Sequence, residues 1–101
     1  DYDVITNSFN GIVDLLKKEN RTIVFQTVPP FEFSEEGGAL MKRLNGYVKT
    51  TLSQKVDFVF DCNRVIASKE DSAKPLYGGH PNKEGAYKWG VALAEELKKF
   101  L

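Results

Sequence analysis

The chain has 101 residues, with 14 Lys and Arg against 14 Asp and Glu, one His, one Cys and 42% hydrophobic residues. That bounds it to at most one small domain and excludes intrinsic disorder and low-complexity repeats. A net charge of zero argues against nucleic acid or an anionic membrane as a partner, since both require a basic surface.

No apolar run approaches the roughly 20 residues that span a bilayer. A single Cys forms no intrachain disulfide, and beside a single His it falls short of a zinc ligand set, so neither metal nor cofactor is expected. Cys62 reads as a small apolar filler, consistent with a reducing compartment without demonstrating one. The opening Asp1-Tyr2-Asp3, without Met or a basic and apolar leader, reads as a processed end or a cut through a larger protein.

From Ser8 to Asn20, Phe9, Ile12, Val13, Leu15 and Leu16 recur at three- and four-residue spacing and predict an amphipathic helix. Asn7 or Ser8 would cap it, Asn20 would end it, and Lys17 and Lys18 would complement its dipole. Arg21 to Thr27 holds the consecutive block Thr22-Ile23-Val24-Phe25, which suits a strand buried on both faces in a parallel sheet.

Pro29 and Pro30 halt that strand, and a long loop is expected through Gly37-Gly38. A second amphipathic helix is predicted from Ala39 to about Ser53, with Leu40, Met41, Leu44, Tyr47, Val48 and Leu52 on its apolar face. Lys55 to Asp61 reads as a second strand, and Asn63 to Gly79 as a polar loop with at most one turn of helix. From Asn82 or Lys83 onward, Tyr87, Val91, Leu93, Ala94, Leu97 and Leu101 mark the stripe of a final helix, with Glu84 early and Lys98 and Lys99 late.

Alternating helices and strands predict right-handed crossovers, parallel strands and an α/β layered architecture. Two strands are few for a stable sheet, so further strands are expected on at least one side.

The run that carries chemistry is Leu76-Tyr77-Gly78-Gly79-His80-Pro81-Asn82-Lys83-Glu84-Gly85-Ala86-Tyr87. Gly78 and Gly79 free the backbone before the only His, Pro81 fixes the dihedral after it, and Asn82 is a natural N-cap. His80 is therefore held at a rigid junction between loop and helix, in the loop that follows the second strand, where α/β sites collect. By spacing alone a His locked in a structural turn and hydrogen-bonded to backbone is the first reading, and a general base the second.

His80-Pro81-Asn82 with Gly85 and Tyr87 at the mouth of a C-terminal helix resembles the last sequence block of the GDSL-type (SGNH) hydrolases. The strand ending Thr27-Val28-Pro29-Pro30, the helix containing Leu44-Asn45 and the strand ending in Asp61 resemble the second half of that family. The resemblance implies a three-layer α/β/α, flavodoxin-like fold, of which residues 1–101 would be one partial domain, the C-terminal half. It implies a serine esterase or lipase-like hydrolase acting on a small-molecule, carbohydrate or lipid ester, with His80 as the general base.

That family has an Asp three residues before the His, where this chain has Tyr77. The resemblance leaves three arrangements open: a backbone carbonyl orients the ring, Asp71 reaches it, or the site is a Ser-His dyad. The family's Gly-Asp-Ser nucleophile block and its oxyanion blocks do not occur here, and Ser8, Ser34, Ser53 and Ser68 lack the required setting. The chain is thus expected to be inactive without a missing N-terminal portion of the same domain. The alternative is a non-catalytic α/β binding or interaction module whose His is structural.

Asp57 and Asp61, four apart around a strand, read as residues of the strand's start and of its terminal turn. Glu35-Glu36-Gly37-Gly38 reads as a solvated acidic loop, and Tyr87 and Trp89 as packing residues. Neither glycine pair sits in a phosphate-binding context.

Overall fold

The computed structural model describes residues 1–29, 34–66 and 82–101. In chain order it contains helix α1 (Tyr2–Lys18), strand β1 (Val24–Gln26), helix α2 (Glu35–Thr50), a 3-10 turn (Leu52–Gln54) and strand β2 (Phe58–Phe60). A one-turn helix α3 (Asn63–Ile66), helix α4 (Lys83–Leu97) and a 3-10 turn (Lys98–Phe100) follow.

The strands are parallel, as expected, with Val24 opposite Phe58 and Gln26 opposite Phe60. The expected layering is overturned. Of the described residues 71% are helical, and a two-stranded sheet of three residues per strand is all the sheet they contain. This is a small, mostly helical fold, not a three-layer α/β/α, flavodoxin-like one. So short a ladder cannot form a central layer with helices on both faces.

The strands are short because the residues before them are spent on other bonds. Asn20 takes a left-handed backbone, φ 56°, and its N–H donates to Lys17 O while that of Arg21 donates to Leu16 O. This closes α1 at the expected residue with two carbonyls satisfied. Ile23 N–H then donates to the Asp57 carboxylate at 2.7 Å, and Asp57 and Phe58 N–H both donate to Ile23 O. The β-branched block from Thr22 is therefore cut to begin pairing at Val24.

Two helices begin earlier than their periodicity predicts. Asp1, rather than Asn7 or Ser8, caps α1, accepting from Val4 N–H at 3.2 Å. Thr6, Ser8 and Asn10 each donate back to a carbonyl of the preceding turn, so these polar residues are absorbed into the helix instead of starting it. Ser34 caps α2 through its hydroxyl, which accepts from Gly37 N–H at 3.1 Å, and Glu35 and Glu36 occupy the positive end of the helix dipole. The cap draws Gly37 and Gly38 into the helix despite their poor propensity, where the sequence reads as loop.

Val13, Ile23, Val48 and Leu52 form the buried core, with Phe9, Leu16, Phe25, Tyr47, Val56 and Val59 packed on it. Leu44, Phe60, Cys62 and Ile66 are buried toward α3. Ile12 and Leu15, expected on the inner face of α1, are exposed, as are Tyr87, Val91, Leu97 and Leu101 of the final helix stripe. Both terminal helices are thus apolar on a second, solvent-facing side.

Candidate functional site at the strand ends

The carboxyl ends of two parallel strands are where this topology gathers side chains. Thr27 follows β1 and Asp61 follows β2. Thr27 N–H continues the ladder to Phe60 O, and its hydroxyl donates to Asp61 Oδ1 at 3.1 Å. The same Asp61 oxygen accepts the N–H of Asn63, while Oδ2 pairs with Lys49 of α2 at 3.0 Å. Asn45, facing inward from α2, accepts from Val28 N–H at 2.8 Å and donates to Val28 O at 3.1 Å. Asn63 adds a second donor to Val28 O at 2.9 Å, and its Oδ1 is buried with no hydrogen-bond partner.

Pro29 explains the arrangement. A proline cannot donate to a ladder, so pairing with β2 ends at Thr27, and side-chain amides take the backbone groups of Val28. Replacing Asn45 by Ala orphans the Val28 N–H and should cost about 1–3 kcal/mol, read as a lower urea midpoint at unchanged slope. No loss of stability would mean the amide contributes nothing.

Cys62 is fully buried beneath this cluster, its thiol donating to Thr27 O at 3.4 Å. Burial pushes the thiol pKa up, the Thr27 hydrogen bond lowers it in part, and the Asp61 charge raises it further. A thiol so placed is a filler, as expected, and a poor nucleophile. Iodoacetamide near neutral pH should label Cys62 only as fast as the chain opens; labelling at the rate of a free thiol would contradict this. Because the unfolded thiol ionises first, stability should fall as pH rises through the ordinary thiol range, about 8.5.

Of the residues singled out by sequence, His80, Asp71, Tyr77 and Ser68 lie outside the described residues. Asp57 and Asp61 are brought to opposite ends of β2, each bound to backbone or neighbouring side chains, which agrees with their structural reading. The hydroxyls of Ser8 and Ser53 donate to Val4 O and Lys49 O, and that of Ser34 caps α2, so all three are engaged with helix backbone. Among the described residues no group of His, Cys, Asp and Glu could hold a metal ion. No helix among them is long and apolar enough to cross a membrane.

Asn82 does cap α4, its Oδ1 accepting from Gly85 N–H at 2.8 Å. Trp89, two turns on, donates its indole N–H to Gln26, the last residue of β1, at 2.8 Å. α4 also packs on α3, which directly follows β2. The helix that opens after the His-Pro-Asn run therefore lies against the carboxyl end of the sheet.

Sequence reading misses Thr27, Asn45 and Asn63 as a group. The available signal is Asn45 itself, a polar residue between Leu44 and Val48 on the apolar face of α2. The chain matches no protein-family model, no curated protein and no solved structure.

Proposed function

We propose that this chain supplies the general base, His80, of a serine-dependent ester hydrolase. The nucleophile and oxyanion donors lie outside these 101 residues, in an N-terminal portion of the same domain, and the substrate is a small-molecule, carbohydrate or lipid ester. The reading rests on the His80-Pro81-Asn82 run and not on the three-layer fold, which this chain does not have.

The observation that supports it is the course of α4. Two residues after His80, Asn82 starts a capped helix that is tied through Trp89 to the carboxyl end of β1. Helix α4, whose N-cap stands two residues after His80 in sequence, is thus tied to the end of a parallel strand, the region where α/β sites form. In the reaction, His80 takes the serine proton as the oxygen bonds to the ester carbonyl carbon. It returns that proton to the alkoxide as the carbon–oxygen bond breaks, and water attacks the acyl-serine in a second, equivalent cycle.

The test is hydrolysis of a short-chain nitrophenyl ester, measured on the 101-residue chain and on its longest natural form. The short chain is expected to give the buffer rate, and the long form a rate that depends on His80. A His80-dependent rate from the short chain would refute the absence of a nucleophile. The second reading, a non-catalytic module with a structural His, is favoured by Tyr77 standing where the resembled family has its orienting acid. Hydrolysis by neither form would decide for it.

A further inference from the structure

Val24 and Gln26 turn their main chain away from β2. The bonds between the strands use Ile23 O, which accepts from Phe58 N–H, and Thr27 N–H, which donates to Phe60 O. Successive residues of a parallel strand bond to opposite sides, so the N–H and C=O groups of Val24 and Gln26 line the outer edge of β1. Among the described residues β2 is the sheet's only other strand, so that edge is open and is a template for an extended segment.

α1 carries apolar residues toward the same place. Phe9, Val13 and Leu16 rest on the core, Phe9 against Phe25 of β1, while Asn10 reaches Tyr47 of α2. At about 100° per residue, Ile12 and Leu15 stand about 60° and 120° round the helix from Phe9, on the flank opposite Asn10. Both are exposed, by 56% and 60%, so α1 is apolar over a wider arc than β1 and α2 cover.

Handedness says what lies beneath that flank. Val13 of α1 and Val48 of α2 share one core, and Phe25 and Val59, paired side by side in the sheet, both pack on it. The two helices therefore lie on one face of the sheet. Crossovers between parallel strands are right-handed, so helices on one face advance in one direction. The chain moves from β1 to β2 through α2, and a strand leading into α1 must then fall on the side of β1 away from β2. That side is the open edge, under the flank of α1 that is turned from α2.

We propose that, given the N-terminal portion on which the hydrolase reading rests, its last strand pairs parallel with the outer edge of β1 and sets apolar side chains under Ile12 and Leu15. Amide hydrogen exchange, followed residue by residue, is the test. In the 101-residue chain the Val24 and Gln26 amides should exchange faster than that of Phe25, which faces β2. In the longest natural form both should slow by about a hundredfold or more, toward the rate of Phe25. Leu15→Lys should leave the urea midpoint of the 101-residue chain in place and lower that of the longest natural form. Equal exchange of Val24 and Gln26 in the two forms overturns the proposal, as does a midpoint of the long form that Leu15→Lys does not move. Protection that grows with the concentration of the 101-residue chain overturns it too, since a second copy then holds the edge. None of these readouts involves ester cleavage: a long form that protects both amides and hydrolyses no ester keeps the added strand and removes the base.

Discussion

Phe60→Ala should destabilise the chain by about 3–5 kcal/mol, the cost of removing a large buried side chain and leaving a cavity. Phe60 is fully buried at the last position of β2, and its carbonyl accepts the Thr27 N–H that closes the ladder. Cys62 and Ile66, also fully buried, follow within six residues, so the ring sits where the sheet hands over to α3. A domain of this size has a stability of about 5–15 kcal/mol, so the variant should be close to unfolding at room temperature. Urea denaturation followed by circular dichroism measures the loss. Val91→Ala is the control, since an exposed side chain should change stability by no more than about 0.5 kcal/mol. Equal effects of the two substitutions would show that Phe60 is not part of a packed core.

His80→Ala should lower ester hydrolysis by the longest natural form about 10²- to 10⁴-fold, the usual worth of a general base. The loss should fall on kcat, because a base acts on the transition state and not on ground-state binding. Asp71→Asn separates the open arrangements: an orienting acid lowers kcat when neutralised, while a Ser-His dyad is indifferent to it. Hydrolysis unchanged by His80→Ala removes the proposed role entirely.

The parts of the fold legible in sequence are those set by local chemistry. Asn20 ends α1 and Asn82 begins α4, because a left-handed turn and an N-cap are properties of one residue and its near neighbours. The parallel pairing of Val24–Gln26 with Phe58–Phe60 was legible as two unalternating apolar runs. What was not legible depends on contacts far apart in the chain. The run from Arg21 reads as a full strand until Asp57, 34 residues on, binds Ile23 N–H. The stripe of α4 reads as core until the rest of the chain is seen to pack on its other side. Nothing in spacing ranks Ile12 and Leu15 below Val13 and Leu16, which differ only in the direction the helix presents them. The candidate cluster at the strand ends was hidden for the same reason: Thr27, Asn45 and Asp61 come from three separate segments, and only tertiary structure joins them.

The Asn45 amide has a further consequence. By donating to and accepting from both backbone groups of Val28, it behaves as a single peptide unit of an adjacent strand, delivered by a helix. Its match to Val28 depends on rotation about the axis of α2, where Leu44 and Val48 are buried beside it. Deleting one residue between Asn45 and Val48 would turn the amide about 100° away from that buried face. Among related chains, length changes are therefore expected to avoid this half turn of helix, whatever happens to the loops.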